Sequence, residues 1–151
     1  MLTSSPGAPY SILVCDDDAD TLQILRISFA RQFNGLVDLY TTSDAAAALT
    51  CFDAHPESVV LLDLMLPRRS GVDLALSILE RKPDAMLLGI TALDRDQVGA
   101  VVDSTLFRHV YMKTDNARDG YKSVLEDIAL CLVCGKLQVV DRLMREIRGI
   151  H

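Results

Sequence analysis

The feature that most constrains the fold is a set of short, continuously apolar segments separated by helical patterns. In the segment SVVLLDL at 58–64, five of the seven residues are Val or Leu. A strand with apolar side chains on both faces must be covered on both faces, as in a parallel sheet packed between helices. The pattern therefore predicts an α/β fold around a buried central sheet.

Five strand–helix pairs follow one another along the chain. The predicted strands are 11–15, 36–40, 58–64, 85–91 and 109–113, and the predicted helices are 18–33, 43–54, 70–82, 94–106 and 119–133. Asn34-Gly35 is expected to end the first helix, Ser43 to cap the second, and Pro83 to stop the third. Short strands joined by helical crossovers predict an open, doubly wound, five-stranded parallel sheet.

The length of 151 residues suits one domain with a sizeable core. Residues 1–10 contain Ser, Pro and Gly and are expected to form a flexible tail, while 131–151 are expected to form a helical extension. An apolar stripe at alternating spacings of three and four predicts that this extension is amphipathic. The stripe consists of Leu130, Val133, Leu137, Val140, Met144 and Ile147. Both packing on its own domain and contact with a second copy or a partner fit this stripe.

The composition excludes several classes of protein. Half of the residues are hydrophobic, which is typical of a globular chain, and the net charge of -6 gives no reason to expect direct nucleic-acid binding. No apolar run approaches the roughly 18 residues of a membrane span, and the N-terminus lacks a signal-peptide pattern, so we expect a cytoplasmic protein. Cys131-x-x-Cys134 has metal or redox spacing, but in a helical pattern without a second pair two small apolar residues are the favoured interpretation.

Polar residues stand where the predicted strands end, at the edge where open parallel sheets form their sites. They are Asp16, Asp17 and Asp18 after the first strand, Asp63 after the third, Thr91 after the fourth and Lys113 after the fifth. Converging carboxylates repel one another unless a hard cation such as Mg²⁺ neutralises them, and Mg²⁺ leaves positions open for phosphate oxygens. Lys113 adds a positive charge and Thr91 a hydroxyl donor. Each feature alone has an ordinary structural explanation, but together they predict that Asp63 accepts a phosphoryl group as a nucleophile.

Four segments carry a resemblance to a known family. ILVCDDDAD, VVLLDLMLPRRSG, GITAL and YMK resemble the receiver domain of bacterial two-component response regulators, over about residues 11–130. The resemblance implies a flavodoxin-like sheet of order 2-1-3-4-5 and a signalling module rather than an enzyme. A sensor histidine kinase or a phosphotransfer protein would be its phosphodonor, and phosphorylation would switch a surface contacted by a downstream protein.

The resemblance also assigns roles to individual residues. Mg²⁺ would be held by Asp16, Asp17, Asp63 and the backbone carbonyl of Met65. Asp63 would be the phosphoacceptor, and Thr91 and Lys113 would bind the phosphoryl oxygens. Asp18 has no role in the family, and we expect it to cap the first helix.

Several positions bear on what phosphorylation does and how long it lasts. The family usually has an aromatic residue where this chain has Val110, and a proline where it has Thr114. By strand alternation Tyr111 faces the same way as Lys113, so we do not expect it to replace that aromatic ring. Met65 and Leu93 are bulky apolar neighbours of the site and are expected to hinder the water that hydrolyses an acyl phosphate.

Two alternatives accompany the phosphorylation hypothesis. A receiver-like adaptor that binds a partner without phosphorylation stays open because the switch positions are altered. An aspartate phosphatase of the haloacid dehalogenase type is disfavoured, since its second acid would stand at Met65. The apolar stripe of the extension leaves a homodimer through the C-terminal helix as a further possibility.

Overall fold

The computed structural model describes residues 10–101 and 106–149. Its strands are β1 (Tyr10–Cys15), β2 (Val37–Thr42), β3 (Val59–Asp63), β4 (Leu87–Thr91) and β5 (His109–Met112). They form one parallel sheet in the order β2-β1-β3-β4-β5. The predicted doubly wound α/β fold and its strand order are confirmed.

The helices are α1 (Ala19–Phe33), α2 (Ala45–Ala54), α3 (Gly71–Arg81), α4 (Arg95–Val101), α5 (Lys113–Asn116) and α6 (Lys122–Arg148). The short α5 and the 3-10 turn Ala117–Asp119 that follows it were not predicted. The chain leaves β5 at Met112, so Lys113 begins a helix instead of ending a strand. Residues 1–9 of the predicted tail, 102–105 of the predicted fourth helix and 150–151 of the predicted extension lie outside the described residues.

Side-chain caps set where the helices begin. Asp18 caps α1 by accepting a hydrogen bond from the Asp20 backbone N–H, as predicted. The prediction for α2 was wrong by one residue, because Asp44 and not Ser43 accepts the hydrogen bond from the Ala47 N–H. At the end of α1, Asn34 adopts the left-handed conformation at φ 37°, as predicted for a helix ending at Asn-Gly.

Two hydrophobic clusters bury the sheet from opposite sides. Alternate residues of β3 face opposite clusters, with Leu61 on the side of α1 and α6 and Leu62 on the side of α2 and α3. This two-sided burial explains the continuous apolar run in the sequence. The charge of Asp63 is placed where β3 emerges, at the carboxyl edge of the sheet.

The predicted fifth helix and the C-terminal extension form a single helix, α6, which crosses the expected boundary at residues 130 and 131 without a break. Its inward face, including Val124, Ile128 and Cys131, packs in the core. Leu130 and Val133 are exposed, so these two members of the stripe do not pack on their own domain. Both Cys131 and Cys134 are free thiols. In the described ranges, no helix is long and apolar enough to cross a bilayer.

Gly71 is a position where the fold excludes a side chain. A Cβ there would lie 2.1 Å from the Asp63 carbonyl oxygen and 2.7 Å from the Leu64 Cα.

Because both of these atoms belong to the backbone, Gly71→Ala should displace the end of β3 and lower the free energy of unfolding by about 3 kcal/mol. Urea denaturation measures this change in the free energy of unfolding. In the matched control Gly99→Ala, within α4, no atom lies within 4 Å of the new Cβ, and we expect equal or slightly higher stability. Unchanged stability of Gly71→Ala would contradict the close approach.

Candidate functional site

Three carboxylates meet at the carboxyl edge of the sheet. Asp16 follows β1 and Asp63 ends β3, and because these strands are parallel neighbours their ends are adjacent. Oxygen atoms of Asp16, Asp17 and Asp63 lie within 4.8 Å of one another. Asp16 and Asp63 are buried, whereas Asp17 is exposed. The sheet order therefore produces the acidic cluster that the sequence predicted.

Lys113 brings one positive charge into this cluster. Its Nζ lies 2.8 Å from Asp16 Oδ2 and 3.0 Å from Asp63 Oδ2. Asp18 Oδ2 is farther away, at 3.9 Å. One ammonium thus faces several carboxylates, and the site keeps an excess of negative charge.

The electrostatics of Asp16 and Lys113 reflect this crowding. Burial raises the pKa of Asp16 to about 6, against the opposing effects of Lys113 and the Asp18 backbone N–H, and the Asp63 carboxylate raises it further. Burial alone would lower the pKa of Lys113, but its contacts with Asp16 and Asp63 outweigh burial and raise it. Lys113 therefore stays charged.

The donor set fits a hard divalent cation. Asp16 Oδ1 accepts a hydrogen bond from the Asp18 N–H at 2.8 Å, whereas its buried Oδ2 accepts no well-directed hydrogen bond from the described residues. Carboxylate oxygens with spare acceptor capacity are the ligands that Mg²⁺ prefers in proteins. Asp16, Asp17 and Asp63 form such a group.

Met65 and Thr91 flank Asp63. The Met65 backbone N–H donates to Asp63 Oδ1 at 2.9 Å, while the role of its carbonyl as a metal ligand stays a prediction. Thr91 is buried at the end of β4, one residue after Ile90, which pairs with Asp63. The Thr91 hydroxyl oxygen accepts a hydrogen bond from the Leu93 N–H at 3.1 Å.

A set of polar contacts that the sequence did not predict lies between Asp18 and the start of α6. The Thr21 hydroxyl donates to Asp18 Oδ2 at 2.9 Å, and this bond lowers the pKa of Asp18. The fully buried Tyr121 lies close to the same threonine: burial raises the pKa of Tyr121, and Thr21 opposes that rise. No local pattern could reveal this contact, because Tyr121 and Thr21 are 100 residues apart.

Val110 and Tyr111 belong to opposite sides of the sheet. Val110 packs against the cluster on the α2 and α3 side and lines a cavity of about 660 Å³ at the β5 edge of the sheet, together with Val98 of α4, Tyr111 and Asp127. Tyr111 is buried against the other cluster, and its hydroxyl donates to Asp127 of α6. This bond holds Tyr111 in place, in keeping with the expectation that it does not replace an aromatic ring at 110.

The raised pKa of Asp16 predicts that neutralising it stabilises the fold at neutral pH. Between the unfolded pKa of about 4 and the folded pKa of about 6, the native state binds more protons than the unfolded state. Stability from this group therefore falls as pH rises through that window. Asp16→Asn keeps the acceptor for Asp18 and should raise the free energy of unfolding by about 2 kcal/mol at neutral pH.

Urea denaturation in the presence of a chelator, at neutral pH and at a pH of about 4, tests this expectation. The gain should vanish at the lower pH, where the native Asp16 is already protonated. Asp17→Asn is the control, since Asp17 is exposed and should change stability little at either pH. A loss of stability in Asp16→Asn at neutral pH would contradict the prediction.

Comparison with known proteins gives a consistent result. The family model described as "Response regulator receiver domain" matches residues 12–126. The Mycobacterium tuberculosis protein "Probable transcriptional regulatory protein TcrX" is 31% identical over 88 residues, which are 58% of this chain and 36% of TcrX. The chain spans about a third or less of the length of the curated relatives that it matches.

Solved structures show the same fold. A response regulator receiver domain protein from Clostridium thermocellum superposes with a TM-score of 0.63 at 25% identity, covering 85% of this chain and 98% of that one. TrrA from Thermotoga maritima, solved in complex with Mg²⁺-BeF, gives a TM-score of 0.61 at 24% identity, covering 79% and 98%. TrrA has also been solved in complex with the histidine kinase ThkA, with a TM-score of 0.63 at 23% identity, covering 79% and 97%. The chain belongs to the response regulator receiver domain family, whose members are signalling modules and not enzymes.

Proposed function

We propose that this chain is a cytoplasmic signalling module that accepts a phosphoryl group on Asp63 from a sensor histidine kinase or a phosphotransfer protein. The observation that carries the proposal is the position of Lys113, whose Nζ lies 3.0 Å from Asp63 Oδ2 inside a cluster of carboxylates. The family match and the complex of TrrA with the histidine kinase ThkA support this class of partner.

The chemistry is a displacement at phosphorus. A carboxylate oxygen of Asp63 forms a bond to phosphorus as the P–N bond of the donor's phosphohistidine breaks, and the imidazole leaves with the electron pair. The Lys113 ammonium offsets negative charge on the phosphoryl oxygens. The Thr91 oxygen accepts from the Leu93 N–H, so its own hydroxyl proton is available for a phosphoryl oxygen.

The acidic cluster supplies the place for Mg²⁺. Asp16, Asp17, Asp63 and the backbone carbonyl of Met65 would hold the ion. When bound, it neutralises charge on the transferring group. The buried Asp16 Oδ2 is paired with Lys113 but accepts no well-directed hydrogen bond from the described residues. This spare acceptor capacity and the excess negative charge of the cluster support the assignment, as does the Mg²⁺-BeF complex of TrrA.

Phosphorylation would be read through the elements that follow Lys113. A phosphoryl group on Asp63 competes with the carboxylates for Lys113, which is the first residue of α5. The chain then runs through the 3-10 turn to Tyr121 and into α6, and Tyr121 lies close to Thr21, whose hydroxyl donates to Asp18. A change in the pairing of Lys113 therefore reaches a surface that a downstream protein can recognise.

Incubation with a small phosphodonor, such as acetyl phosphate, and Mg²⁺ tests the central proposal. Intact mass should show a gain of one phosphoryl group in the unmodified chain and none in Asp63→Asn, because that variant lacks the nucleophile. A chelator should suppress the gain. Urea denaturation verifies that Asp63→Asn remains folded. No gain in the unmodified chain, with either the small donor or a phosphorylated kinase, would favour the adaptor that acts without phosphorylation.

The apolar residues beside the site predict a long-lived acyl phosphate. Leu93 is partly buried two residues after Thr91, and an apolar side chain there excludes water from the phosphoryl group. Leu93→Asn should therefore speed loss of the phosphoryl group several-fold, as followed by intact mass after donor removal. Leu76→Asn, at an exposed position of α3, is the control and should leave the rate unchanged. Equal rates in both variants would contradict the role of Leu93.

A further inference from the structure

The outer face of α6 carries apolar side chains that its own domain does not cover. Leu130 is 57% exposed and Val133 50%, and toward the end of the helix Met144 is 39% and Ile147 78% exposed. The opposite face of the same helix, represented by Ile128, is in the core. Where its side chains are described, α6 therefore buries one face near its start in the domain and exposes large apolar groups at these four positions.

The stripe has the period of a coiled coil. Spacings of three and four alternate from residue 130 to 147, which fixes a single heptad register on the helix. Position a is occupied by Leu130, Leu137 and Met144, and position d by Val133, Val140 and Ile147. Gly135, the only glycine between 121 and 148, falls at the outward position f.

We propose that further copies of this chain cover the stripe, with three or four α6 helices associating in parallel. A heptad stripe is complementary to copies of itself, because the knobs of one helix fit the holes of the next. In this register Lys136 occupies position g and Asp141 the following position e. In a parallel bundle, position g of one helix faces position e of its neighbour, so the two charges are of opposite sign where they meet.

The residue types at a and d favour more than two chains. Parallel dimers prefer β-branched residues at a and leucine at d, whereas leucine at a with isoleucine at d shifts the preference to trimers and tetramers. This chain has Leu or Met at a and the β-branched Val or Ile at d. The pattern therefore favours three or four chains over the homodimer that the stripe left as a possibility.

The stripe is short for an isolated coiled coil, which usually needs three or four heptads. Much of that requirement comes from the cost of forming the helix. Here the first part of α6 is already held as a helix by Val124, Ile128 and Cys131 in the core. Association then does not have to nucleate a new helix. Fewer apolar layers than in an isolated coiled coil are therefore enough to hold the helices together.

Light scattering coupled to size-exclusion chromatography of the full chain, over a range of concentrations, measures the number of copies. We expect a molar mass of three or four times the 16.6 kDa of one chain. The double variant Met144→Glu and Ile147→Glu should give the mass of one chain, because it places charges in the seam. Leu76→Glu, at an exposed apolar position on α3, is the matched control and should keep the assembly. Circular dichroism verifies that each variant is folded.

A mass of one or two chains at every concentration would overturn the proposal, as would equal loss of assembly in the double variant and in Leu76→Glu. Direction is tested with Ile147→Cys, which meets its counterpart only in a parallel bundle. Under mild oxidation it should give more cross-linked chains on a non-reducing gel than the unmodified chain with its own cysteines. No increase would overturn the parallel arrangement. Neither test uses phosphorylation, so failure here leaves the role of Asp63 unaffected.

Discussion

The ion pairs of Lys113 with Asp16 and Asp63 are the interaction on which the site depends. Two buried carboxylates side by side would be strongly unfavourable without a cation between them. The fold brings the three residues together from separate strands. The acids come from the neighbouring ends of β1 and β3, and the lysine reaches them from the end of β5, two strands beyond β3. Any change that disturbs the sheet order or the close approach at Gly71 therefore acts on the site as well.

Much of this arrangement could be predicted from the sequence because its causes are local. Apolar runs such as 58–64 mark strands buried on both faces, and polar residues at strand ends mark the edge where they meet. The details that escaped prediction depend on tertiary contacts or on single residues. Ser43 and Asp44 are adjacent, and both residue types cap helices. Only the backbone geometry at the first turn of α2 decides that Asp44 is the cap. The contact between Tyr121 and Thr21 joins residues that no period in the sequence relates.

Tyr111 and Tyr121 connect the sheet and the edge of the site to α6. Tyr111 of β5 donates a hydrogen bond to Asp127 of α6, and Tyr121, the residue immediately before α6, lies close to Thr21, which hydrogen bonds to Asp18. Val110, where the family usually has an aromatic ring, instead packs on the side of α2 and α3 and lines a cavity at the β5 edge of the sheet, which Tyr111 and Asp127 line as well. In this chain the polar connection of β5 thus runs toward α6.

The unbroken course of α6 has a mechanical consequence. A helix of 27 residues is about 40 Å long. If this helix tilts as one body by about 5° at its start, its far end moves by roughly 3.5 Å over that length. A change too small to repack the core next to Lys113 would then become, at the far end of α6, a displacement comparable to the size of a side chain.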